Sequence, residues 1–450
     1  MGNNVRLRAL ACLLILFVCE MVSPRKLDGY SVLSHEALID AAWKPVIIPL
    51  LLKRFPGATR EQLREAHAYA YGGCVIQDMG YYPFGSHFFS NLTHYVRTAD
   101  FIEALLDDSQ NLDEYAFALG ALSHDAADNT GHPLAVNLSV PDLYPKLEQK
   151  YGKRVTYEDD PKAHIMVEFS FDVVQVAGAG YLPKTYHNFI GFKVSKPLLQ
   201  RAFLQTYGLN FGDLFLSEDL SMGVYRLGAS EVIPRLTQIT WKQRRKKILR
   251  LYPTIVRKEY GYRISPENYE SGTNHARSRF RKLTSNAKLK VEQAQLSLLA
   301  RLLVFSVELM PKIGPLRTLA FKAPTPQTQS LFISSFADTV QRYRRFLKEE
   351  DENRLKLENL NFDTGKPIHA GDYALADKTY AQLLNELSEN HFRGVTPTLR
   401  ANILAFYANL SAPMATQRHP RAWQKLQREL AALKGFCGHG GCRGGALAAD

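Results

Sequence analysis

The run from Ala118 to Pro133 sets His124, Asp128 and His132 at successive four-residue intervals. On a helix, residues four apart lie on one face, one turn above another. Three nitrogen and oxygen donors then point the same way, the arrangement that a transition metal such as zinc needs. The same spacing returns in His164-Ile165-Met166-Val167-Glu168. Two such faces so close together in the chain are hard to explain as core packing. Asp78 lies in the apolar run from Gly72 to Gly80, which ends in a turn. A carboxylate there is costly to bury unless it is paired or bound to metal. His94 follows 16 residues later, and His35 sits five residues after Tyr30.

The donor set is therefore His35, Asp78, His94, His124, Asp128, His132, His164 and Glu168. It is too large for one tetrahedral zinc and suits two or three. His67, read on a polar helix face, and His87 are left outside it. Asp172 continues the His164–Glu168 face by one turn, and the spacing leaves open whether it orients a ligand from behind or is an ordinary surface carboxylate. Asp125 adjoins His124 but points off the ligand face.

These residues need helices to hold them. Seven of the 13 histidines fall between His35 and His164, in sequence with helical periodicity. Thr59 with Gln62 predicts a capping box at a helix start. Helical patterns also cover Asp113 to Asp125 and Pro161 to Val176, and convincing alternating strands are absent. The expectation is an all-α chain.

At this point the chain resembles the zinc-dependent phospholipase C family, whose all-helical trinuclear-zinc fold is shared with secreted single-strand-specific nucleases. The resemblance covers about residues 30 to 180, and at most the helices up to 240. Its most specific parts are the Gly120-to-His132 run and the His164–Glu168 pair. It implies that Asp78, His94, His124 and Asp128 bind one zinc and that His132, His164 and Glu168 bind a second. His35 helps to bind a third, with Asp128 bridging. The mature N-terminal residue of the family, usually Trp, also gives backbone atoms to the third zinc. Tyr30 occupies that place here, which requires cleavage after Gly29. The resemblance and the chemistry both point to Asp78 as general base. The family's activity implies release of a phosphorylated head group from a phospholipid, leaving diacylglycerol.

The expected organisation starts with a targeting segment at 1–29. Arg6 and Arg8 precede an apolar stretch from Ala9 to Val18, too short for a membrane span of about 20 residues and suited to a secretory signal. The protein is then secreted or held in the cell envelope or periplasm. A catalytic domain follows at 30–240, a basic aromatic-rich segment at 241–290, a helical C-terminal region at 291–420 and a flexible tail at 421–450. The apolar stretch from Val291 to Met310, interrupted by Arg301, reads as a core helix. The C-terminal half offers no constellation that suggests chemistry.

The net charge is +12, and it sits in one place. Between Trp241 and Lys290 there are 15 Lys/Arg against 3 Glu, interleaved with Trp241, Tyr252, Tyr260, Tyr262, Tyr269 and Phe280. This composition suits an anionic phospholipid membrane surface or a single-stranded nucleic acid, and equally a solvated helix face. Cysteines are few. Cys74 reads as a buried small hydrophobe, and Cys437 and Cys442 could close a small disulfide loop. Asn91, Asn137 and Asn409 begin glycosylation sequons.

Three functions follow. The first is a secreted zinc phospholipase C, and the second a zinc nuclease or nucleotidase with the same metal core. The third is a zinc-stabilised helical binding protein without turnover.

Overall fold

The computed structural model describes residues 31–176, 190–251 and 321–436. The targeting segment, Tyr30, the basic segment beyond Leu251, the apolar stretch from Val291 to Met310, and Cys437 with Cys442 lie outside the described residues.

The fold is all-α, as expected. Its centre is α5 (Leu112–Gly131), buried from Glu114 to Gly131. Asn111 caps it, accepting from the backbone N–H groups of Asp113 and Glu114. Among the helices before it are α1 (Val32–Ala42), α2 (Arg60–Gly73), α3 (His87–Tyr95) and α4 (Thr98–Asp107). The capping box is realised at α2: Thr59 Oγ1 accepts from Gln62 N–H, and Gln62 Oε1 accepts from Thr59 N–H.

The crossing of α2 and α5 depends on small residues. A Cβ on Gly120 would lie 2.2 Å from the carbonyl oxygen of Ala70, and one on Gly73 would lie 2.0 Å from that of Phe117. Only glycine lets the two backbones approach so closely.

Past Gly131 the helix widens into a π turn at His132–Val136, before α6 (Asn137–Leu143). Pro133 has no N–H and its ring crowds the preceding turn, so the regular ladder cannot continue there. Further along, α7 (Pro161–Phe171) is capped by Asp160 and runs into a second π turn at Asp172–Val176. After it come α8 (Lys196–Tyr207), α9 (Glu218–Leu227) and α10 (Ile233–Leu251).

The C-terminal half is not a separate appendage. Its long helix α11 (Pro326–Asp351) packs along α5. Tyr343 donates to the Leu119 carbonyl oxygen and Tyr115 to Glu350 Oε1. Beyond α11, the strands β1 (Leu360–Asn361) and β2 (Lys366–Pro367) form an antiparallel hairpin, with Leu360 opposite Pro367. Then follow α12 (Ala374–Glu389), α13 (Pro397–Phe406) and α14 (Pro420–Gly435).

The last helix corrects the expected flexible tail over its first part. Leu426, Leu430 and Leu433 lie on one face of α14 and are buried, so tertiary packing orders a stretch whose charge suggested a mobile end. None of the described helices is long and apolar enough to cross a membrane.

Candidate metal centre

The eight donors come from six elements. His35 comes from α1, Asp78 from the 3-10 turn Ile76–Tyr81, and His94 from α3. His124 and Asp128 come from α5, His132 from the π turn after it, and His164 and Glu168 from α7. The structure brings all eight together, and none exceeds 4% exposure.

The distances are those of donors around shared ions. Asp78 Oδ1 lies 3.3 Å from His94 Nε2 and 3.9 Å from His124 Nε2. Asp128 Oδ2 lies 3.1 Å from His124 Nε2 and 3.6 Å from His94 Nε2, while its Oδ1 lies 3.5 Å from His35 Nε2. Glu168 Oε1 is 2.8 Å from His164 Nε2 and 3.6 Å from His132 Nε2. With metal–ligand bonds of about 2.1 Å, the edge of a tetrahedron is about 3.4 Å.

Hydrogen bonding does not account for the cluster. The Nε2 atoms of His94 and His124 face each other at 3.3 Å, where only a proton on one and a lone pair on the other would make a hydrogen bond. Both oxygens of Asp128 and both ring nitrogens of His132 and His164 are buried without a hydrogen-bond partner. Leaving one such group unsatisfied costs about 1–3 kcal/mol. The donor chemistry fits divalent cations, and three buried groups could each hold one: His35 with His124 and Asp128, Asp78 with His94 and His124, and His132 with His164 and Asp363.

Outer contacts set the ring orientations. His94 Nδ1 lies 2.7 Å from the Ser90 carbonyl oxygen and His124 Nδ1 lies 3.0 Å from that of Cys74. A carbonyl oxygen only accepts, so each Nδ1 carries its proton and each Nε2 points inward. The close α2–α5 crossing delivers Cys74 to its place, where it is fully buried as expected.

Charge distributes unevenly. Burial pushes His35 and His164 well below the usual histidine range. Burial raises Asp78, against the pull of His124 and His94. Burial also opposes charge on Asp128 and His94. For Asp128 the surrounding histidines win, holding it well below the carboxylate range. For His94 the carboxylates of Asp128 and Asp78 win, lifting it to about 10.

Neighbouring residues sort out differently from the sequence reading. His67 is buried, not on a polar face: it meets Asp40 Oδ1 at 3.0 Å and stacks on Trp43. His87 packs against the Tyr81 ring. Asp125 does turn away from the donors, with Oδ1 3.7 Å from Arg342 Nη2. Asp172 is a buried tie. It accepts from Leu33 N–H and Ser34 Oγ, pinning the start of α1, and so His35, to the end of α7.

Sequence reasoning missed Asp363. Its Oδ1 lies 3.7 Å from His132 Nδ1, although it follows His132, His164 and Glu168 by 195 to 231 residues. The neighbouring Phe362 ring lies over His94 and His124, and its N–H donates to the His94 carbonyl oxygen. Asn137, read as a sequon, is fully buried and donates to the Asp363 carbonyl oxygen. The only sequence signal was a turn-rich stretch, Asn361 to Gly365, which carries no metal spacing.

Residues 34–212 match the family model described as zinc dependent phospholipase C. That segment, less than half of the chain, is similar to the family. The matched stretch holds all eight donors read from the sequence and stops well short of Asp363. No curated protein and no solved structure gives a significant match.

Proposed function

We propose that the chain is an exported zinc-dependent phosphodiesterase of the phospholipase C type, which releases a phosphorylated head group and leaves diacylglycerol. The observation that carries this reading is the meeting of eight buried donors at metal-sharing distances, within a segment of the family. A phosphodiester is anionic and resists attack by a neutral nucleophile. Zinc in this centre would neutralise phosphate oxygens, acidify a water molecule and favour the leaving alkoxide.

Asp78, His94, His124 and Asp128 would hold one ion and His132, His164 and Glu168 a second. His35 and Asp128 would hold a third, to which Tyr30 belongs by the family resemblance. Asp78 is the general base. Burial strengthens its hold on a proton, which suits it to take one from the attacking water. Arg342 and Arg345 line a cleft of about 620 Å³ with Asn129, the neighbour of Asp128, and Gly365. Their guanidinium groups would draw a phosphate towards that side of the centre. Lys242, Arg245, Lys246 and Lys247 are exposed on α10 and would meet anionic lipid head groups.

One observation favours a second reading, a zinc-stabilised binding protein without turnover: every donor is buried, and the Asn361–Gly365 turn lies over them. The test is hydrolysis of phospholipid vesicles by the purified, zinc-loaded protein, with single-stranded nucleic acid as the competing substrate. Head-group release should fall at least about 100-fold in Asp78→Asn. Cleavage of nucleic acid alone would transfer the reading to a nuclease. No turnover on either, with zinc bound, would favour the binding protein.

A further inference from the structure

The metal centre of the family segment is finished by a residue from outside it. His94 and His124 share one arrangement: Nδ1 faces a backbone carbonyl oxygen and Nε2 faces the other donors. His132 repeats it. Its Nε2 looks towards Glu168 at 3.6 Å and Asp128 at 4.0 Å. Its Nδ1 looks the other way, towards Asp363 Oδ1. A single ion cannot take both ring nitrogens, and the donors cluster on the Nε2 side.

Asp363 is built to hold that place. Its Oδ2 accepts from Tyr157 N–H and from the Tyr373 hydroxyl, at 2.9 and 2.8 Å. Its Oδ1 has no hydrogen-bond partner and is aimed at the ring. The turn that carries it is set by Asn361, whose Oδ1 accepts from the Asp363 and Thr364 N–H groups. Gly365 closes it at φ +66°, a left-handed conformation that favours glycine.

We propose that Asp363 is the positioning residue of His132. The C-terminal half supplies the carboxylate that fixes the tautomer and orientation of one ligand ring, and so completes the second ion's position. This rests on the metal-centre reading above. It gives the C-terminal half a role that the sequence did not disclose: the family segment depends on it for a full-strength centre.

The experiment uses full-length, zinc-loaded protein, dialysed against increasing chelator and read by elemental analysis. Asp363→Ala should release one class of ion at about 10–100-fold lower chelator and leave the others as in the wild type. Selective histidine labelling and nitrogen NMR of the intact zinc-loaded wild type give a readout that does not depend on a variant folding. His132 should show a metal-bound Nε2 and a protonated Nδ1. Unchanged zinc retention in Asp363→Ala, or a His132 bound through Nδ1, would overturn the proposal while leaving the metal centre standing. A wild type that holds no zinc would overturn both.

Discussion

At the scale of single residues, the metal-free centre keeps its own charge in balance with protons. His94 is lifted to about 10 by Asp128 and Asp78 against the effect of burial. At pH 7 it therefore carries a second proton, shared on the Nε2 side, which an incoming ion must displace. Zinc uptake by metal-free protein should release protons at pH 7, and affinity should weaken as pH falls. Calorimetry in buffers of different ionisation heat measures this directly, and binding heats independent of buffer would contradict it. His35 and His164 lie well below the usual histidine range and should add nothing to that release. Five of the eight donors, His124, Asp128, His132, His164 and Glu168, were legible because four-residue spacing on a helix is a geometric statement. His67 was misplaced because a polar sequence neighbourhood does not reveal that Asp40 and Trp43 enclose it. Asp172 was left open between two roles because its partners, Leu33 and Ser34, lie about 140 residues away in sequence.

At the scale of elements, α5 is the part on which the centre depends. It carries His124 and Asp128, ends at His132, and is held against α2 with no room for a side chain at Gly120. Gly120→Ala should cost about 1–3 kcal/mol through overpacking, read as a lowered midpoint in denaturant unfolding. A stability equal to wild type would show that α2 and α5 separate without penalty. One helix start was legible through its cap, at Thr59, and another through the helical pattern that opens at Pro161. The π turns were not. Regular 3.6-residue periodicity runs through His132 unbroken, and only Pro133 marks the place where the ladder opens.

At the scale of the whole molecule, the boundary of the family segment is not a boundary of the fold. The C-terminal half packs α11 on α5, lays Phe362 over His94 and His124, and sets Asp363 behind His132. A chain ending at residue 320 should fail to fold compactly, because α5 would lose the partner that buries its outer face. A soluble fragment with native-like helical circular dichroism and cooperative melting would contradict this. That dependence was illegible in the sequence. Asp363 stands alone among polar turn residues, and contacts of such long sequence separation leave no periodic trace.

The most direct test of the metal centre is zinc per chain, by elemental analysis of the purified protein after loosely held metal is removed. Two or three retained ions are the predicted result. One ion or none would contradict the account, and the convergent histidines and carboxylates would then require a different explanation.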